Sequence, residues 1–243
     1  IEKIRELRAA GTMPSLEEVF AAPVGNHKSV AEYGASWAAV AMLSFHPAYA
    51  KAFLEIERGP LGPDFNQRLA GMPGWDAARA SRDFDAFTAD IDYGYDFSLM
   101  AIDWSAGKPL TDPSEIAVDA ARGWQNSGLA LVAGDHYAFQ AAGRVGLGVI
   151  EDTVNKKFIT LEGEPDGISF EWYRGRPTGK LLLGQWIEKP SDSGRPRFEV
   201  LAEAATGEFV AIVDGPLFMR LNGPPTRLKQ RDGKISVTVR SAP

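Results

Sequence analysis

The spacing of apolar residues changes near the middle of this 243-residue chain, and no other feature constrains the fold as strongly. Up to about residue 94 they recur every three or four positions, which is the period of an amphipathic helix. From Tyr95 onward they recur at alternate positions in short runs between Gly and Pro, which is typical of antiparallel strands. We therefore predict an α+β chain with a helical domain at residues 1–106, a linker at 107–115 and an antiparallel β-sandwich at 116–243.

The helices of the first part have recognisable starts and ends. Ser15 and Ser29 each stand three residues before a Glu, so each forms a capping box that opens a helix. The second of these helices should reach about Phe45, because His46 precedes a proline. Its larger apolar residues and one serine fall along one side: Tyr33, Trp37, Val40, Ala41 and Ser44. Further helices are expected at 1–10, 47–59 and 65–69, with another capped by Ser81.

The second part contains nine apolar runs at roughly ten-residue spacing, as in a sandwich or barrel. Tyr95–Leu99 and Ile116–Val118 alternate in the same way. The nine predicted strands are Leu129–Val132, Tyr137–Ala141, Lys157–Leu161, Ile168–Tyr173, Lys180–Ile187, Phe198–Leu201, Phe209–Val213, Leu217–Leu221 and Ile235–Val239.

Charge and composition exclude several classes of protein. The net charge is −6, with −7 in residues 1–115 and +1 in residues 116–243, so a nucleic-acid partner is not expected. The absence of cysteine excludes disulfides, thiolate metal sites and thiol nucleophiles. No stretch has the eighteen or so apolar residues of a membrane span. The chain begins with Ile1 and not with Met, so we expect a piece of a longer protein.

Four segments of the second part resemble a known family when they are taken in order. They are Gly123–Leu129 (GWQNSGL) with Gly134–Arg144 (GDHYAFQAAGR), Thr178–Gly184 (TGKLLLG), Gly215–Asn222 (GPLFMRLN) and Gly233–Val239 (GKISVTV). Together they resemble the small bacterial β-sandwich domains of the galactose-binding lectin type. This resemblance implies a jelly-roll-like sandwich that binds a glycan or a protein surface.

The resemblance also implies a calcium-dependent sugar site, from which this chain departs. In the family an Asp follows the strand-end Asn, whereas here Gly223 follows Asn222. The loop before Gly233 carries three basic residues, and only Asn222, Gln230 and Asp232 offer side-chain oxygens to a cation. We therefore expect the calcium site to be absent, with no metal and no cofactor, while sugar binding by another route stays open.

Aromatic residues near the middle of the second part provide such a route. Trp124, Trp172, Tyr173 and Trp186 could stack on sugar rings, although Trp124 matches a family position that we expect to be buried. Trp172 and Tyr173 are adjacent, so one should face inward and the other outward. An exposed Tyr173 beside Arg174 and Arg176 is the ligand patch that we predict.

The first part resembles the helical C-terminal part of gluzincin-type metallopeptidases. The resemblance lies in Tyr33–Leu43 (YGASWAAVAML), His46–Phe53 (HPAYAKAF) and Asp83–Phe87 (DFDAF). A zincin needs His-Glu-x-x-His, and His27, His46 and His136 do not form one, so no catalytic residue and no metal ligand is assigned here. If the resemblance holds, the catalytic half lies upstream of Ile1.

No other catalytic motif is present. The sequence has no phosphate-binding loop, no dinucleotide fingerprint and no nucleophile elbow. Five aspartates lie close together, and because they surround an apolar helical stripe we interpret them as a solvated helix face. They are Asp83, Asp85, Asp90, Asp92 and Asp96.

Three hypotheses follow. The first is a non-catalytic binding or attachment module, in which a lectin-like sandwich is joined to a helical remnant of a metallopeptidase-like protein. The second is the C-terminal portion of an active secreted zinc peptidase, and the third is a structural module of a larger assembly. The resemblances imply a secreted, periplasmic or cell-surface location.

Overall fold

A computed structural model describes residues 1–22, 29–59, 64–111, 113–152, 154–192 and 194–242. The chain forms two compact units, one made of residues 1–101 and 188–197 and the other of residues 102–187 and 198–243. The first is helical and the second is built from antiparallel-rich sheets, as the α+β prediction requires. His27 lies outside the described residues. Within them, no helix is both long and apolar enough to cross a membrane.

The helical unit contains seven helices within the described residues. They are α1 (Glu2–Ala9), α2 (Leu16–Ala21), α3 (Val30–Phe45), α4 (Ala50–Glu57), α5 (Phe65–Ala70), α6 (Ala77–Asp90) and α7 (Phe97–Met100). The Ser15 hydroxyl accepts from the Glu18 amide while the Glu18 carboxylate accepts from the Ser15 amide, so the capping box is confirmed. Ser29 accepts from the Glu32 amide at the start of α3.

Two local predictions in this unit are wrong, and both errors concern an N-cap. Asp76, not Ser81, caps α6, because the Asp76 carboxylate accepts from the Arg79 amide and the helix begins five residues earlier than expected. The alternating run from Tyr95 is not a strand. Asp96 accepts from the amides of Ser98 and Leu99 and opens the short helix α7.

The core of the helical unit lies between α1, α3 and α6. Ile4, Met42 and Phe84 are among its fully buried side chains. Helix α3 contributes small residues to this core, Ala35, Ala38 and Ala39 among them. The side of α3 that carries Tyr33, Trp37 and Val40 is exposed.

The β unit contains twelve strands and one 3₁₀ helix within the described residues. The strands are β1 (Lys108–Pro109), β2 (Ser114–Asp119), β3 (Gln125–Leu131), β4 (His136–Ala142), β5 (Val145–Asp152), β6 (Lys157–Gly163), β7 (Asp166–Tyr173), β8 (Arg176–Ile187), β9 (Arg197–Ala202), β10 (Thr206–Val210), β11 (Gly215–Leu221) and β12 (Lys234–Ser241). The 3₁₀ helix is Pro225–Gln230. Each of the nine predicted runs overlaps one of these strands, while β5 and β1 were not predicted.

Two sheets share one core. One sheet has the order β1-β3-β11-β8-β7, with β9 also pairing β8, and the other has the order β10-β4-β12-β2. Apart from the pair of β9 and β8, the pairings in these two sheets are antiparallel except that of β1 with β3, which is parallel. Leu183 and Leu217 from the first sheet are buried in the same cluster as Phe139 and Val237 from the second, so the unit is a β-sandwich. Strands β5 and β6 form a separate two-stranded sheet.

Aromatic side chains form a second cluster in the β unit. The ring of Phe198 stacks on Trp124 at 4.4 Å between centroids and meets Trp186 and Phe218 edge-on, each at 5.1 Å. Trp104 also contacts Trp186, at 5.1 Å. Trp124 is buried, as expected, and so is Trp186, which is therefore not available to stack on a sugar ring.

Candidate functional site

The turn between β7 and β8 is held by the side chain of Asn222. Its Nδ2 group donates to the carbonyl oxygens of Tyr173, Arg176 and Pro177 at 3.0, 2.9 and 3.0 Å. The backbone of Asn222 adds bonds to Gly179 and Lys180, both of 2.8 Å. Four predicted site residues, Tyr173, Arg174, Arg176 and Asn222, are thus brought together. Asn222 is buried and shapes the turn from beneath.

The outward-facing aromatic residue of β7 is Trp172, so the prediction of an exposed Tyr173 needs correction. Trp172 is 61% exposed, and its indole Nε1 donates to the Ser169 carbonyl at 2.9 Å. Tyr173 is half-buried, and the guanidinium of Arg174 lies over its ring, 5.3 Å from the centroid. The physical reason is a register shift between Ile168 and Trp172, which interrupts the alternation of faces along β7.

The exposed aromatic surface of β7 extends to Phe170, which is 70% exposed. Nearby carboxylates neutralise two of the arginines in this region. Arg176 pairs with Glu203, and Arg227 of the 3₁₀ helix pairs with Glu171 of β7 at 2.8 Å. The exposed arginine of the turn is Arg174, which adopts a positive φ of 50°. Trp172, Phe170 and Arg174 form what we call the β7 surface.

A buried arginine, Arg231, lies next to Gly223. The guanidinium of Arg231 is 4% exposed and donates to the carbonyl oxygens of Leu221 at 3.3 Å and Asn222 at 3.1 Å. A Cβ atom at Gly223 would collide with this guanidinium, and Gly223 has a φ of +147°. Glycine after Asn222 therefore makes room for a cation that belongs to the chain itself.

Burial and neighbouring arginines lower the pKa of Arg231. Burial and, by a smaller amount, the cation of Arg220 together lower the pKa of Arg231 to about 10, although Glu171 acts in the opposite direction. A positive charge held at this point disfavours a second cation by direct repulsion. Among the described residues, no group of three or more His, Asp or Glu side chains is arranged to hold a metal ion.

Gln230 and Asp232 are the two neighbours of Arg231 in the chain, and both are exposed. The backbone of Asp232 exchanges two hydrogen bonds with Gly146 of β5, at 3.0 and 3.1 Å. No contact in the described structure joins their side chains to Tyr173, Arg174 or Arg176, so their part in ligand binding stays a prediction.

The helical unit contains buried polar clusters that the sequence interpretation missed. Asp83 and Asp85 are each 4% exposed, so the prediction of a solvated helix face is wrong for these two residues. Asp85 accepts from Arg8 at 3.0 Å and from Arg195 at 2.7 Å, so the buried negative charge of Asp85 is compensated. Burial raises the pKa of Asp85, although both arginines act to lower it.

Asp83 lies in a second buried cluster, with Tyr49 and His46. The Tyr49 hydroxyl donates to Asp83 Oδ2 at 2.5 Å, and His46 Nε2 lies 3.8 Å from Asp83 Oδ1. His46 Nδ1 accepts from the Ala48 amide at 3.2 Å, which leaves the proton of a neutral ring on Nε2, towards Asp83. Burial lowers the pKa of His46, and Asp83 raises it by a smaller amount. In the sequence, the residues of this cluster lie in two segments that are far apart: HPAY contains His46 and Tyr49, and DFDAF contains Asp83. No other sequence feature indicated the cluster.

Comparisons with known proteins find similarity among solved structures. No family model matches the chain, and no curated protein matches it. Among solved structures, the chain is similar to one described as "EclA N-terminal domain; PllA-like lectin", with 19% sequence identity and a TM-score of 0.37. The similarity covers 53% of this chain and 95% of the other.

Proposed function

We propose that this chain is a non-catalytic binding module whose β-sandwich binds a carbohydrate through the β7 surface without calcium. The observation that supports this most is the exposed indole of Trp172, which a hydrogen bond to Ser169 holds in place. Phe170 is exposed on the same strand, and a patch of neighbouring exposed apolar residues is a feature of binding surfaces that single exposed residues lack. An aromatic ring offers its face to the apolar side of a sugar, and the neighbouring Arg174 offers donors to hydroxyl or acidic groups.

The proposal leaves no part for a resident cation. Arg231 supplies a fixed positive charge beside Gly223, and its two terminal nitrogens donate to the carbonyl oxygens of Leu221 and Asn222. A sugar bound at the β7 surface would contact side chains directly, so chelation of divalent ions should not weaken it.

A glycan array tests this function. Fluorescently labelled protein should bind a defined subset of glycans equally with and without EDTA, and Trp172→Ala should lose that binding. Tyr93→Ala is the matched control, because Tyr93 is an equally exposed aromatic residue (60%) of the helical unit. Binding that requires calcium, or that survives in Trp172→Ala, would refute the proposal.

The link to a metallopeptidase-like protein is a separate part of the proposal, and it implies an extracytoplasmic location. Its support is the resemblance of the YGASWAAVAML and DFDAF segments. The intact mass of the natural protein is the test. A His-Glu-x-x-His motif in a preceding segment would favour the peptidase alternative, and a mature protein that starts at Ile1 would exclude it.

A further inference from the structure

The helical unit contains an aromatic groove with a volume of about 500 Å³, which is within the range of small-molecule sites. Its lining residues come from α3, α6 and the segment that leads into α7, together with Ile1. We call it the α3–α7 groove. It goes beyond the function proposed for the β7 surface and does not depend on it.

Five aromatic rings line the α3–α7 groove. Phe87, Tyr95 and Phe97 pack against one another, with centroids 4.7 to 5.0 Å apart. Phe45 of α3 stacks on Phe97 at 6.2 Å and is 67% exposed. The indole of Trp37, two turns earlier on α3, is also exposed. Phe87 is fixed in the core, so the rings that face the groove rest on a rigid support.

The charged side chains that line the α3–α7 groove are acidic. Asp92 and Asp96 line it, and no Lys or Arg does so among the described residues. Asp92 pairs with Arg5 outside the lining. Asp96 Oδ1 accepts from the amides of Ser98 and Leu99 at 2.9 and 3.2 Å, which fixes this carboxylate at the groove.

The combination of aromatic walls and carboxylates in the α3–α7 groove disfavours several classes of ligand. The carboxylate of Asp96 disfavours an anion, and the apolar walls cannot replace the water shell of a small, strongly hydrated cation. A cation whose nitrogen carries apolar substituents loses little hydration and is attracted by the faces of aromatic rings. A neutral apolar molecule would gain only from burial and would not use the carboxylates.

We propose that the α3–α7 groove binds an organic cation with apolar substituents on its nitrogen, such as a quaternary ammonium group. The aromatic rings of Trp37 and Phe45 would contact the substituted nitrogen, and Asp96 would supply the opposite charge. Since the groove is larger than a trimethylammonium group, a ligand with an additional apolar body should bind more tightly.

Isothermal titration calorimetry on the full chain tests the proposal with three probes. Choline and benzyltrimethylammonium are the cations, and 3,3-dimethylbutan-1-ol is the uncharged analogue of choline. We expect saturable binding of both cations, tighter for the benzyl compound, and at least about tenfold weaker binding of the alcohol. Protein with an acetylated N-terminus removes the α-amino charge of Ile1 from the comparison.

Two variants separate the aromatic and the charged contributions. Trp37→Ala and Asp96→Asn should each weaken binding of benzyltrimethylammonium about fivefold or more. Asn retains the capping oxygen of α7, and Trp37 is half-exposed, so neither change threatens the fold. Tyr33→Ala on the same helix, outside the lining, should leave binding unchanged. The proposal is overturned if neither cation binds, if the alcohol binds as tightly as choline, or if both variants bind like the unaltered protein.

Discussion

At the scale of single residues, one glycine and one arginine determine the chemistry of the loop after β11. Gly223 has no side chain, and the guanidinium of Arg231 fills the adjacent space. The sequence identified both departures from the lectin pattern but not their relation. Only the structure shows that the missing side chain accommodates the added cation.

The relation between Gly223 and Arg231 can be measured. Gly223→Ala should lower the free energy of unfolding by about 2–4 kcal/mol, since alanine is strained at this φ and its Cβ collides with the guanidinium. In an Arg231→Met background the same change should cost at least about 1 kcal/mol less, because the collision is gone and only backbone strain remains. Urea unfolding of the four proteins gives the answer. Equal losses in both backgrounds would show that the two residues act independently.

The buried His46 makes stability depend on pH. Because burial holds the pKa of His46 below its ordinary value, the folded protein binds fewer protons than the unfolded chain as the pH falls through the ordinary range of histidine. This contribution to stability is complete above the unfolded pKa and is lost as the pH falls toward the folded pKa. Between pH 7.5 and 5 the free energy of unfolding should therefore decrease more steeply for the unaltered protein than for His46→Gln. His136→Gln, at an exposed position, is the control and should follow the unaltered protein. Parallel pH curves for the unaltered protein and His46→Gln would contradict this account.

At the scale of elements, the turn between β7 and β8 depends on Asn222, the residue that follows β11. Asn222→Ala removes three donated hydrogen bonds and leaves the carbonyls of Tyr173, Arg176 and Pro177 to find other partners. We expect a loss of about 1–3 kcal/mol in the free energy of unfolding. Gln230→Ala, at an exposed position nearby, should change it by less than about 0.5 kcal/mol. A stability of Asn222→Ala equal to that of Gln230→Ala would exclude this role.

The strands and helices also show which elements could be predicted from sequence patterns and which could not. Strands with strict alternation, such as β12 with buried Ile235, Val237 and Val239, were predicted because each buried apolar residue is followed by a polar residue. Strand β5 was missed because its first half, VGLG, contains glycines that suggest a loop. The apolar stripe of α6 was predicted correctly. Asp83 and Asp85 were predicted to be exposed, but they are buried. Their partners Arg8, Arg195 and Tyr49 are distant in sequence, and no local pattern reveals such pairs.

At the scale of the whole molecule, the division into a helical and an antiparallel β part could be predicted, because the repeat of apolar residues differs between them. The predicted linker at 107–115 contains β1, which pairs with β3 and so belongs to the β unit. Residues 188–197, from the end of β8 to the first residue of β9, belong to the helical unit, and sequence order alone gave no sign of this. The proposed site could not be predicted in full from the sequence either, because the register shift in β7 causes Trp172 and not Tyr173 to face outward.

The central claim is that the β-sandwich binds carbohydrate at the β7 surface without a metal ion. Its most direct test is to titrate a glycan selected from the array into the unaltered protein and into Trp172→Ala, each in calcium and in EDTA. The account predicts the same affinity for the unaltered protein in both buffers and at least about tenfold weaker binding for Trp172→Ala in both. Binding that disappears in EDTA, or that is equal in the two proteins, would contradict it.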